Sequence, residues 1–600
     1  MTPLVVDILA HASETPETPA VVVGNEVLSY GALADAVDHL SMRLVAAGVL
    51  PGTVVAVHLE QSTATVVAML AAARVGAAWS VVEPGQPAGR LAAVVRDTDC
   101  RVLVHAGSRP ACADTLAHLD VRDLVAAPPV PLPTMLPLDL PAYVIHTSGS
   151  TGRPKGVVVG HANLDASIRC RGVLYGAEPP TFLSALRLSF DGSLGATLWT
   201  LRRGGTVVLP DEERMADPGA VAALAATHAA THLICVPSYY RLLLDHAALL
   251  PPTLRHVSVG GERCDADLVR RHRHLLPETE LANEYGPTEA IVSCTFQRVA
   301  PTHRHGEVPI GAPLPGASVH VLDAALREQP PGRVGELYVG GSFLAQGYAG
   351  QPARTAERFV ADPFAAEPGA RLYRTGDLAA CRADGTVEFR GRADDQVKVR
   401  GHRVEPAEVA EVVSVHPGVR QAAVLLDPLV PEPVLVAYLV CDGPPPSPVV
   451  LRALCRESLP PAAVPARFVA VPAIPLTVNG KLDRDALARL GAAREEDPVD
   501  APADHDWTGL QRAVADIWAE VLGHRGCGLD DNFFDAGGTS LKVVDLHKRL
   551  DRRWSGAVRV GELFDAKTIA AQAAVIAGVA DTPAAGRTGP PPAAALSFEV

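Results

Sequence analysis

The sequence predicts an α/β fold for most of the chain, followed by a small α+β region and an all-α helical bundle. Three observations lead there. From Val21 to about residue 390, short β-branched runs alternate with alanine-rich stretches, the rhythm of strands and helices packed in layers. Residues 492–506, AAREEDPVDAPADHD, are charged, proline-containing and poor in large apolar groups, which is the composition of a solvated linker. Beyond them, residues 507–578 recover a helical apolar period.

The runs VVVG (21–24), TVVAVHL (53–59), RVLVH (101–105), YVIH (143–146) and GTVVL (205–209) predict strands. Between the first two, Leu33, Val37, Leu40 and Leu44 recur every three or four residues, so 31–47 is expected to be a helix with one apolar face. A large domain over residues 1–393 should therefore hold parallel sheets with helices packed on them. After it, QAAVLLD (421–427) and PVLVAYLV (433–440), with a helix starting near Pro406, predict a compact α+β lid over 394–491. In the bundle, Leu510, Val514, Ile517 and Val521 form one stripe and Val543, Leu546 and Leu550 another. The Pro/Ala/Gly-rich stretch 579–600 is expected to be a disordered tail.

Composition narrows the function. Six hundred residues with 48% hydrophobic content supply material for several cores. A net charge of −14 without Lys/Arg blocks argues against nucleic acid as a partner. Ten cysteines occur singly, with no C-x-x-C pair, which fits buried thiols in a reducing, cytoplasmic setting. No apolar run reaches bilayer length and no leader pattern opens the chain, so neither export nor a membrane span is expected.

Residues 143–161, YVIHTSGSTGRPKGVVVGH, join a strand-like run to a loop rich in Gly, Ser and Thr. Gly149, Gly152 and Gly156 permit turns that aim N–H groups inward, Thr147, Ser148, Ser150 and Thr151 add hydroxyl donors, and Lys155 adds a point charge. Such a loop can wrap phosphate. It is not a Walker A loop, because Pro154 precedes the lysine and Gly156 follows it.

The string TSGSTGRPKG resembles the phosphate loop of the adenylate-forming enzymes, which include acyl-CoA synthetases, luciferases and the adenylation domains of nonribosomal peptide synthetases. NEYGPTE (283–289), GELYVGG (335–341), YRTGDL (373–378), GRADDQVKVRGHRVEPAE (391–408) and NGKLDR (479–484) then follow in that family's order. The resemblance implies ATP and Mg as cofactors. It places Glu289 on magnesium, Thr288 on the α-phosphate, Tyr285 against adenine, and Asn283, Gly261 and Gly286 around the nucleotide. Asp377 and Arg392 are implied at the ribose, Asp394 as the hinge to the lid, and Lys481 as the lid cation between substrate carboxylate and α-phosphate. Rotation of the lid would separate adenylation from thiolation. His146, in place of the usual aromatic residue, and WSVVEP (79–84) depart from the family pattern without removing a catalytic group.

DNFFDAGGTSL (531–541) resembles the attachment site of peptidyl carrier proteins, which implies 4'-phosphopantetheine on Ser540 and a phosphopantetheinyl transferase as partner. Asp191 in SFDGS would pair with a substrate ammonium, favouring an amino acid over an acyl chain. Carried over from the family, the side-chain pocket is Asp191, Gly192, Gly195, Ile234, Ser258, Gly260, Glu284, Val292, Ser293 and Lys481. Five of these are Gly or Ser, and Glu284 would be a buried acceptor in the wall. L-Tyrosine is therefore the first expectation, L-histidine the second and a basic side chain the third.

No HHxxxDG element of a condensation domain and no G-x-S-x-G elbow of a thioesterase occurs. The expectation is a free-standing adenylation–carrier didomain serving a trans-acting tailoring enzyme, such as a cytochrome P450, or a downstream synthetase, with an MbtH-like protein as a further partner. An acyl- or aryl-CoA ligase and a non-catalytic carrier scaffold are the alternatives.

Overall fold

The computed structural model describes residues 4–107, 110–122, 132, 137–147, 154–300, 303, 306–399, 401–427, 434–476, 482–492, 507–522, 527–534, 536, 538 and 540–580. It divides into two units, Met1–Ala493 and Arg494–Val600.

The first unit is layered α/β. A seven-stranded sheet runs from Gly347–Tyr348 through Lys155–Gly160, Pro141–Thr147, Ala78–Val81, Val54–His58 and Cys100–His105 to Ala117–Asp120. Its central strands pair in parallel, and their apolar residues are buried, as expected for strands covered on both faces. The helix expected at 31–47 spans Tyr30–Ala46 with the Ser29 side chain as N-cap, burying Leu33, Val37, Leu40 and Leu44.

A nine-stranded sheet includes Thr181–Ser184, His232–Cys235, His256–Gly260 and Glu280–Tyr285 as parallel neighbours. Their carboxyl ends lead into the loops that carry the site, the usual location for ligands in open α/β sheets. A third sheet, including Ala317–Leu322, Val334–Gly341, Arg371–Cys381 and Val387–Arg392, is antiparallel. This departs from the expected parallel sheets for a simple reason. No crossover helix lies between Ala317–Leu322 and Val334–Gly341, or between Arg371–Cys381 and Val387–Arg392, and connections of that length close hairpins.

The lid region begins with the hairpin Val397–Val399/His402–Val404. A three-stranded sheet follows, Val419–Asp427, Val434–Cys441 and Arg467–Ala470, with the helices Pro406–Ser414 and Pro448–Ser458. Val409, Val413, Leu439 and Leu451 share its core.

The second unit contains the helices Gly509–Leu522, Ser540–Arg553, Val560–Asp565 and Ile569–Ala580. Val514, Ile517, Val521, Val543, Leu546 and Leu550 close on one core with Trp518 and Phe533. The buried Trp518 indole donates to Gln572 Oε1 at 2.8 Å, satisfying the one polar atom of that ring.

Candidate active site

Pro141–Thr147 and Lys155–Gly160 form an antiparallel hairpin with Thr147 opposite Lys155. Ser148, Gly149, Ser150, Thr151 and Gly152 lie outside the described residues. Thr147 Oγ1 is buried without a hydrogen-bond partner among the described residues.

Lys155 is buried and points at Glu289, Nζ to Oε1 2.8 Å, with its charge 4.8 Å from the Tyr348 ring centroid. Glu289 sits in the short turn Thr288–Ala290 after the strand Glu280–Tyr285 and is fully buried. It also accepts from the Tyr348 hydroxyl at 2.7 Å and ion-pairs with Arg403 of the lid hairpin at 2.9 Å. Burial alone would raise its carboxyl, but Arg403 and Lys155 outweigh burial and hold it well below the ordinary range. Burial, helped by Arg403 and opposed by Glu289, lowers Lys155 to about 8.

Opposite this cluster, the Tyr285 hydroxyl donates to Asp377. Asp377 and Arg392 face each other across a strand pair and are joined at 2.6 Å, while Arg392 also holds Asp394 at 2.7 and 2.8 Å. Asn283 Nδ2 donates to the Pro309 carbonyl at 3.0 Å. The lid hairpin reaches into the same cleft: Lys398 lies 5.8 Å from the Tyr285 ring centroid, and Gly261 and Gly401 approach backbone to backbone. Gly401 has φ +76°, and a Cβ there would fall 2.7 Å from Val236, so only glycine admits this close seat.

Asp191 starts the helix Asp191–Arg202 and is buried. Burial pushes its carboxyl up to about 6, against the opposing hydrogen bond of Thr288. Gly192, Ile234, Gly260, Glu284, Val292 and Ser293 line the cleft with it, as do Cys235 and Lys398. Ile291 and Val292 carry φ of +54° and +70°, strained values for β-branched residues. Gly195 and Ser258 stand behind the wall: Gly195 backs onto Arg171, and Ser258 Oγ meets His256 Nε2 at 3.0 Å.

Glu284, expected to be a buried acceptor in the pocket wall, is buried but already engaged. Its Oε1 accepts from Tyr175 at 2.7 Å, and its Oε2 accepts from Ser293 at 2.7 Å and from Arg171 at 3.2 Å. Both Arg171 and Glu284 are buried. Removing either partner of such a pair leaves an uncompensated buried charge, at a cost of about 3–5 kcal/mol. Sequence reasoning missed Arg171 because no motif surrounds it. Lys398 and Arg403 lay inside a recognised string but were given no role.

Lys481 lies outside the described residues. Ser540 opens the helix Ser540–Arg553 of the second unit. Among the described residues no group of three or more His, Cys, Asp or Glu side chains could by itself hold a metal ion, and no helix is long and apolar enough to cross a membrane.

Residues 8–349 match the AMP-binding enzyme family, 408–481 the AMP-binding enzyme C-terminal domain and 512–576 the phosphopantetheine attachment site. The chain is 38% identical over 576 residues to a probable non-canonical nonribosomal peptide synthetase, CymA, of Salinispora arenicola, covering 93% of this chain. It is 36% identical over 551 residues to tyrocidine synthase 3 of Brevibacillus parabrevis, covering 89% of this chain. It spans only 7% and 8% of the lengths of those two relatives. The solved structure of holo-PA1221, an NRPS protein containing adenylation and PCP domains bound to a vinylsulfonamide inhibitor, is 29% identical. It superposes with a TM-score of 0.82, covering 96% of this chain and 97% of that one. ATP with magnesium and a covalent phosphopantetheine are the cofactors that these domains require. The chain belongs to the AMP-binding enzyme family, with a phosphopantetheine attachment domain following the AMP-binding region as in the similar nonribosomal peptide synthetases.

Proposed function

We propose that the cleft joins an amino-acid carboxylate to the α-phosphorus of ATP, expelling pyrophosphate, and that the carrier's phosphopantetheine thiol then takes the aminoacyl group, releasing AMP. Asp191 would hold the substrate ammonium. Asp377 and Arg392 would hold the ribose, Tyr285, Asn283, Gly261 and Gly286 would frame the adenine, and Thr147 through Lys155 with Thr288 would meet the phosphates. A carboxylate oxygen is a hard donor that suits magnesium, so Glu289, with phosphate oxygens of the nucleotide, is the group to hold that ion, which would neutralise charge developing on the phosphates. Lys481 is proposed as the adenylation lysine, Asp394 as the hinge, and Ser540 as the attachment hydroxyl. The domain limits 1–393, 394–491, 492–506, 507–578 and 579–600 are proposed with them.

The observation carrying this reading is the convergence of Asp191, Thr288 and the Asp377–Arg392 pair on one cleft, with Glu289 buried behind it and ion-paired to the cleft residue Arg403. For the finer substrate we propose L-tyrosine, then neutral L-histidine. Gly192, Gly260 and Ser293 leave the wall small, and Glu284 Oε1, whose one hydrogen bond among the described residues is from Tyr175, keeps a lone pair for a side-chain donor. A basic side chain is displaced, because Arg171 already neutralises Glu284. A cytoplasmic setting, supported by ten free cysteines, and a trans-acting tailoring enzyme or MbtH-like partner belong to the same proposal. Amino-acid-dependent exchange between pyrophosphate and ATP, run across the standard amino acids, tests it. No exchange with any of them would overturn it.

A further inference from the structure

We propose that Arg171, which is none of the pocket positions expected from the sequence, is a specificity-determining residue. With Glu284 it makes a neutral, paired floor that selects an uncharged side chain and rejects a cationic one. The inference deepens the amino-acid activation reading and rests on it.

Arg171 is fully buried, yet it touches the two pocket residues with hydrogen-bonding side chains at that end of the cleft. Its Nη1 donates to Ser293 Oγ at 3.1 Å and to Glu284 Oε2 at 3.2 Å. Its Nη2 donates to Ser167 Oγ at 3.4 Å, and Ser167 in turn donates to the Ile291 carbonyl at 3.2 Å. One side chain thus ties the charge of the floor to the strained Ile291–Val292 wall. The arginine has room because residue 195 is glycine: a Cβ there would fall 2.8 Å from Arg171 Cζ and 2.9 Å from Nε. That Nε–H is buried with no hydrogen-bond partner among the described residues, and it faces the bare backbone of the helix whose first turn carries Asp191 and Gly192.

The charges decide the class of substrate. Glu284 alone would invite a lysine-, ornithine- or arginine-like side chain. With Arg171 at hydrogen-bond distance the pair sums to zero, and an incoming cation would meet a like charge in a buried site, where screening is weak. A neutral terminus with a donor for Glu284, such as a phenol or a neutral imidazole, meets the acceptor without adding a charge beside the buried Arg171.

The test measures kcat/KM by amino-acid-dependent pyrophosphate exchange for neutral, cationic and anionic side chains, on the full chain and on folded variants checked by thermal melting. Arg171→Met should uncover the Glu284 charge and shift the ratio of cationic over neutral substrates upward by roughly tenfold or more. Glu284→Gln should expose the arginine and raise acidic side chains instead. The double variant Arg171→Met/Glu284→Gln, again uncharged, should return discrimination against cations towards that of the original protein. If Arg171→Met does not fold, Glu284→Gln and the double variant carry the test. A folded Arg171→Met that keeps the original ranking, Glu284→Gln without a gain for acidic side chains, or a double variant as cation-tolerant as Arg171→Met would overturn the inference. Absence of exchange in the unmutated chain would instead remove the underlying function.

Discussion

Arg403, on the lid hairpin, is ion-paired to Glu289, on the large subdomain, at 2.9 Å, and both side chains are largely withdrawn from water. The carboxylate proposed to hold magnesium is thereby engaged by the lid, and the described lid side chains reaching the cleft are Gln396, Lys398 and Arg403, of which the last two are cations. This arrangement leads to opposite expectations for two lid cations.

Arg403→Ala should slow transfer of the aminoacyl group to the carrier more than it slows adenylate formation, because it removes the contact that docks the hairpin in the cleft. Single-turnover measurement of AMP release and of acyl loading on the carrier separates the two steps. Equal losses in both would show that the ion pair is incidental to lid position.

Lys481→Ala should do the reverse, cutting adenylate formation by about 10²–10³-fold, the scale of losing one group that stabilises developing charge. Thiolation from a preformed aminoacyl-adenylate should lose far less. The same two assays decide it, and a mainly thiolation defect would reassign the residue.

Asp191 gives a pH dependence of defined sign. Its carboxyl is raised to about 6 by burial, so the anion that attracts the substrate ammonium is present above that pH and lost below it. KM for the amino acid should rise by roughly tenfold per pH unit as pH falls below that value, while ATP binding changes little over the same interval. Asp191→Asn should have a high KM at every pH and lose this slope; a wild-type KM that is flat from pH 7 to 5 would contradict the assignment.

Ser540→Ala should still form adenylate but never gain the mass of a phosphopantetheine arm when treated with a phosphopantetheinyl transferase and coenzyme A. Intact-protein mass spectrometry reads this directly. A mass increase on the variant would place the arm elsewhere.

The layered fold was legible wherever periodicity was strong: the Leu33–Leu44 face and the Val54–His58 strand follow the apolar pattern almost residue for residue. The antiparallel third sheet was not, because its strands are half-exposed and lack a uniform period. In the site, motif strings pointed to Thr288, Asp377 and Arg392, which the chain does bring to one cleft, and to Glu289, which is buried against Arg403 of that cleft. Motifs say nothing of partners drawn from unpatterned sequence. Arg171 and Tyr175 come from a stretch without any such string, and their contact with Glu284 spans more than a hundred residues. Glu284 is the buried acceptor expected, but for that reason the partners that already engage it, Arg171 and Tyr175, were not foreseen.

Gly195 and Arg171 share a single volume, since any Cβ at the first would collide with the guanidinium of the second. Enlarging residue 195 alone overpacks the pocket floor, and shrinking residue 171 alone strands Glu284. Each single step is therefore penalised while the joint step is not, which is the condition for strong epistasis. Attempts to redirect this enzyme by exchanging only the side chains that face the substrate should stall, whereas libraries that vary positions 171, 195 and 284 together should cross between substrate classes.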